Sequence, residues 1–146
     1  MLSDLQDEKV TYTFVGANIS LAKAVTVVSD PISRGESGAV PAGYIAKAIP
    51  GAILEYAITV TNSGAKDATL ALTDTMPSIF KEADIDATSY KQSLNGAMAS
   101  DISGSVSVDT DTGNIVTITF PSATATAKDA SNVNGTVVTT FEVKLP

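Results

Sequence analysis

Lys23 and Asp74 are the two residues of this chain whose types and placement invite chemistry first. In "ISLAKAVTVV" Lys23 keeps the phase of Ile19, Leu21, Val25 and Val27, and in "ATLALTDTMP" Asp74 keeps the phase of Leu70 and Leu72. Side chains two apart along a strand share a face, so both charges are expected to point inward. An inward Lys and an inward Asp are costly unless they meet. Two outcomes follow. Lys23 can snorkel to the rim and form an ordinary ion pair with Asp74, or its amine can condense with the carboxyl to an isopeptide bond. The ion pair is the simpler reading, because Glu55 falls on the outward phase and no other acid is an evident proton shuttle.

A second oxygen-rich group is "VDTDTGN", where Asp109, Asp111 and Asn114 surround a tight turn. Oxygen ligands of this kind suit Ca²⁺, but the spacing lacks the closing Glu of a full calcium loop. The competing expectation is a hairpin turn whose Asp and Asn satisfy their own backbone. No cofactor is expected from the sequence; Ca²⁺ is the metal that this turn could take. Glu82, Asp84 and Asp86 in "KEADIDA" read as a solvated face. Asn18-Ile19-Ser20 and Asn134-Gly135-Thr136 match the N-glycosylation acceptor pattern, a short pattern that arises often by chance in a Ser/Thr-rich chain.

What is absent narrows the field further. The 146 residues include no Cys, no His and no Trp. Disulfides, thiolate nucleophiles and Cys-based zinc sites are excluded. The usual general base near neutral pH is missing too. Most familiar hydrolase and transferase constellations therefore cannot be built; catalysis by carboxylates alone remains possible, and it needs two convergent acids in a deep cleft, so the expectation is a protein that is not an enzyme. With 9 Lys plus Arg against 16 Asp plus Glu, the net charge is −7. Nucleic acid is therefore not the expected partner, since phosphate binding relies on clustered cations. Tyr12, Tyr44, Tyr56 and Tyr90 are too dispersed to form a stacking platform for bases or sugars.

The elements that must position these residues are strands. Thr, Val, Ala and Ser dominate, and turn signals such as Pro50-Gly51, Asn62-Ser63-Gly64, Asn95-Gly96 and Asn134-Gly135 recur at short intervals. Strands are expected near residues 10–15, 19–28, 53–62, 68–75, 102–109, 114–120 and 136–145. One short helix is expected at about Ser78 to Ala83. Residues 31–50 and 121–135, rich in small residues, are expected as loops. The expected fold class is all-β: an immunoglobulin-like antiparallel β-sandwich of about seven strands with an additional N-terminal strand. At 44% hydrophobic residues the chain can bury a core.

The stretch "PGAILEYAITVTNSGAKDATLALTDTMP" resembles a repeat domain of bacterial and archaeal cell-surface proteins known only as domain of unknown function eleven. The shared elements are the Lys-bearing strand "ISLAKAVTVV", Pro50-Gly51, "TVTNSG" and "TDTMP". The likeness covers Ile19 to Pro77 well, the last strand loosely, and the middle less. It implies a surface-exposed immunoglobulin-like module used as stalk, coat or adhesion piece, with no known enzymatic activity. Residues 1–18 depart from that pattern, giving an N-terminal extension ahead of a sandwich domain of residues 19–146.

Within that extension "KVTYTFV" alternates Val10, Tyr12 and Phe14 against Thr11 and Thr13. Such a strand either folds onto its own domain or completes a neighbour's sheet. Exchange of this head-to-tail kind does not close, so it grows into a filament. The expected function is a structural subunit of an extracellular, pilus-like filament or cell-surface assembly, a homopolymer joined by donor-strand complementation through Val10, Tyr12 and Phe14. The alternative is a monomeric adhesion or spacer module whose loops bind surface glycans or proteins. The opening "MLSDLQDEKV" has no apolar run and is not a secretory signal, so either the protein is cytosolic or the sequence is a mature form, the latter being the expectation for a surface protein. No membrane insertion is expected, because no stretch approaches the ~20 apolar residues a membrane helix needs.

Overall fold

The computed structural model describes residues 10–13 and 17–146, with side chains described from residue 17 onward. The strands are β1 (Val10–Thr13), β2 (Ile19–Ser29), β3 (Ile53–Asn62), β4 (Ala68–Thr75), β5 (Lys91–Leu94), β6 (Ser100–Asp101), β7 (Ser107–Thr110), β8 (Val116–Thr119), β9 (Ala123–Ala125) and β10 (Gly135–Lys144). They form two antiparallel sheets. One runs β1-β4-β8-β7, with β9 also pairing β4; the other runs β2-β3-β10-β5-β6. The protein is an all-β sandwich.

The alternation in the sequence explains the layers. Leu54, Tyr56, Ile58 and Val60 of β3 are all fully buried, and their outward neighbours lie opposite polar residues such as Glu142. Phe141 and Val143 of β10 and Val116 and Ile118 of β8 fill the space between the sheets. The centre is aromatic: Tyr56 stacks on Phe141 at 5.4 Å, and Phe80 meets Tyr56 edge-on at 6.3 Å. Tyr90 and Phe120 extend the group. Each such ring contributes roughly 1.5–3 kcal/mol by leaving water.

A second, smaller core joins Val60, Ala68, Leu70, Ala123, Ala125 and Val137. Its residues are small because the backbones come close there. A Cβ on Gly135 would sit 2.0 Å from the Thr126 carbonyl oxygen, so only glycine opens β10 at that point.

Four points of the expected layout are corrected. Residues 78–83 do not form a helix. A turn closed by Phe80 N–H to Pro77 O is followed by a 3₁₀ turn at Glu82–Asp84, because burying Phe80 and exposing Ile79 breaks any helical stripe. Residues 121–135 are not all loop, since β9 pairs with Ala68, Thr69 and Leu70. The Ala-Thr alternation there builds a strand whose buried side chains are small. Residues 91–94 and 100–101 are strands as well. "KQSL" reads as polar, yet Gln92 is buried and its Nε2 donates to Thr139 Oγ1 at 3.3 Å on the neighbouring strand. The expected strand at 102–109 begins later, after a 3₁₀ turn at Ser103–Ser105.

Candidate functional site

β4 is the element on which the candidate residues converge. On one side it pairs with β8 through residues 73–75 and with β9 through residues 68–70. On the other it carries β1, in the register Val10↔Asp74, Thr11↔Thr73, Tyr12↔Leu72 and Thr13↔Ala71. Within this single chain the N-terminal strand therefore lies on its own domain, as the outermost strand of its sheet. Among the described residues, β4 is its only ladder partner. Val10 and Tyr12 are thus placed by register alone, and Phe14 lies outside the described residues.

Asp74 turns from β4 into the space between the sheets. Lys23 reaches it from β2, the outermost strand of the opposite sheet, where Lys23 stands across from Ile58. Lys23 Nζ donates to Asp74 Oδ1 at 2.7 Å, with the two side chains 6% and 0% exposed. The ammonium also sits 4.9 Å from the centre of the Tyr56 ring, which favours the cation electrostatically. Lys23 does not snorkel to the rim; it crosses the sandwich. A buried pair of this kind is a poor stabiliser relative to apolar residues of the same volume, so its presence asks for a reason. Glu55, on the outward face of β3 between Thr26 and Glu142, is not part of this group.

The oxygen-rich turn after β7 is closed by its own residues. Asp111 Oδ1 accepts from Gly113 N at 2.8 Å and Ile115 N at 3.0 Å, and Asn114 takes a φ of 60°. Asp109 is exposed on β7. Among the described residues no three His, Cys, Asp or Glu side chains gather to hold a metal ion. Asn18 is exposed just before β2, whereas Asn134 is partly buried and its Oδ1 has no hydrogen-bond partner among the described residues.

Two buried polar residues matter that the sequence reading passed over. Asp30 is fully buried beneath residues 31–50. Its Oδ1 accepts from Ser33 N at 2.6 Å, and its Oδ2 accepts from Tyr44 Oη and Lys47 N, both at 2.7 Å. Burial by itself would raise its pKa, but these bonds together bring it down to about 2. The same bond to Asp30, with burial and the Asp30 charge, pushes the Tyr44 hydroxyl up. An Asp followed three residues later by Ser was the available signal. Asn62 is the other. Its Nδ2 reaches the carbonyls of Lys66, Ala125 and Thr126, and its Oδ1 accepts from Gly64 N at 3.0 Å. The Asn-Ser-Gly turn thereby fastens β3 to β9.

At the far edge of the sandwich a cleft of about 400 Å³ is lined by Glu82, Ala83, Ile85, Ala87, Tyr90 and Val108. Glu82 is the acid in that lining. Burial first, then the charges of Glu82 and Asp86, push the Tyr90 hydroxyl up to about 12. No helix among the described residues is long and apolar enough to cross a membrane. No family model matches the chain, and neither a curated protein nor a solved structure matches it.

Proposed function

We propose that the protein is a structural subunit of an extracellular filament or surface assembly, and that its copies join by exchanging β1. The observation that carries this reading is the position of β1: a four-residue strand at the edge of its sheet, laddered only to β4 among the described residues. A neighbour's β1 seated on β4 makes the same main-chain bonds as the chain's own, so exchange leaves the ladder energy unchanged. The balance then rests on the connection through residues 14–18 and on protein concentration. Exchange also leaves no edge of β4 open to unspecific pairing. The immunoglobulin-like character and the surface location belong to this same reading, supported by the resemblance of Ile19 to Pro77 and by the acidic composition. The intramolecular β1–β4 ladder favours a second reading, a monomeric adhesion or spacer module working through its loops.

One experiment separates the two. The chain has no cysteine, so T11C and T73C can be placed on separate chains and mixed under oxidising conditions. Thr11 and Thr73 are direct partners in the β1–β4 register, close enough for a disulfide to form when the strands pair. Strand exchange predicts covalent heterodimers on a non-reducing gel and uniform fibres by negative-stain microscopy, and fibres absent from a chain lacking residues 1–15. If the mixed chains stay unlinked, the double variant closes within one chain and light scattering shows monomer at high concentration, the filament reading fails. Fibres that survive the truncation would also sink it.

A further inference from the structure

We propose that Lys23 and Asp74 form a covalent isopeptide bond in the mature protein, tying the two sheets together. The inference stands apart from strand exchange, since both residues belong to the sandwich itself. Four observations converge on it. The nucleophile, Lys23 Nζ, lies 2.7 Å from Asp74 Oδ1, an oxygen bonded to the carbon it would attack. Both side chains are withdrawn from water, so the product amide has little access to hydrolysis. The partners lie 51 residues apart in sequence, one on β2 at the edge of its sheet and the other on β4 of the opposite sheet, so a cross-link ties the two layers together. The chain has no cysteine with which to place a disulfide there.

The proton balance closes within the pair. Moving one proton across the Lys23–Asp74 contact converts ammonium and carboxylate into amine and carboxylic acid. The Nζ lone pair then adds to Cγ of Asp74 and forms the N–C bond. The bond from Cγ to its hydroxyl oxygen breaks, and the hydroxyl departs with a proton from nitrogen as water. An ammonium and a carboxylate thus become one amide and one water, with no oxidant or co-reactant. Glu55 on the outward face takes no part; the contact itself brings the reacting groups together. Holding two reactants in contact replaces an encounter in solution with an effectively unimolecular step. The product also removes two charges from the core, the arrangement that made the pair a poor stabiliser.

Mass spectrometry of the intact, denatured chain tests this directly, after prolonged incubation of the folded protein. The wild type is expected to be lighter than its sequence by one water. D74N is expected to be lighter by one ammonia, because an amide leaves that group instead, and K23M to show its full mass. A tryptic digest of the wild type should contain one branched peptide carrying both residue 23 and residue 74, with no cleavage after Lys23. A wild type of full mass, with Lys23 cleaved normally, overturns the proposal. A loss of water that persists in K23M also overturns it, since Asp74 would then be cyclising onto its own backbone. The wild-type digest decides the matter even if a variant fails to fold.

Discussion

At the scale of single residues, the buried polar groups show how this chain holds its loops without disulfides. Asp30 gathers donors from Ser33, Tyr44 and Lys47, and so gives the long segment between β2 and β3 a fixed centre. Its folded pKa of about 2 lies below the ordinary value of 3.8. A depressed carboxylate adds stability that is complete above the unfolded pKa and lost as pH falls through the folded one. The stability difference between wild type and D30N should therefore shrink as the pH drops from 3.8 to about 2, as read by urea denaturation. Asn62 makes a different demand. N62A leaves the Gly64 N–H and buried carbonyls without their partner, and each unsatisfied group costs about 1–3 kcal/mol. A lowered urea midpoint with an unchanged slope is the expected result.

Elements differ in how firmly they are held. β3 lies between β2 and β10 and is paired along its full length on both sides. β9 depends on a close approach at Gly135. G135A drives a methyl into the Thr126 backbone, and overpacking of this kind costs about 1–3 kcal/mol. The amides of Ala123–Ala125 should then exchange faster, as read by hydrogen exchange, while those of β3 keep their protection. β1 stands at the weak end of the scale, with one short ladder at a sheet edge. In monomeric protein its amides should exchange orders of magnitude faster than those of β3, since edge elements open locally at low cost. In assembled fibres, β1 protection should rise. Equal protection of β1 in both preparations would count against strand exchange.

Across the whole molecule, two sheets enclose an aromatic centre in which Tyr56, Phe80, Tyr90, Phe120 and Phe141 touch in turn. One edge of the sandwich carries β1 and the Lys23–Asp74 contact; the other carries the cleft beneath Glu82. The ion pair and the N-terminal strand meet on the same element, because Asp74 is both the inward partner of Lys23 and the in-register partner of Val10. A net charge of −7 favours solubility of the protein at high concentration.

The fold class, the main strands and the faces of those strands were legible in the sequence, for a local reason. Alternation has a period of two, and β2, β3, β4, β8 and β10 carry it with bulky apolar residues, so each announces its own inward face. The inward phases of Lys23 and Asp74 were legible on the same ground. β5, β6 and β9 were not, because apart from Leu94 they are built from Lys, Gln, Ser, Asp, Ala and Thr, whose strand character comes from a neighbour. Gln92 is tolerable inside only because Thr139 meets it, and Ala123 and Ala125 suffice only because Gly135 lets the backbones approach. Asp30 and Asn62 looked like turn punctuation until distant donors and acceptors were brought to them. Residue types and phases are properties of one strand. That Lys23 Nζ lies 2.7 Å from Asp74 Oδ1 is a property of two sheets in contact, and only the tertiary structure brought them together.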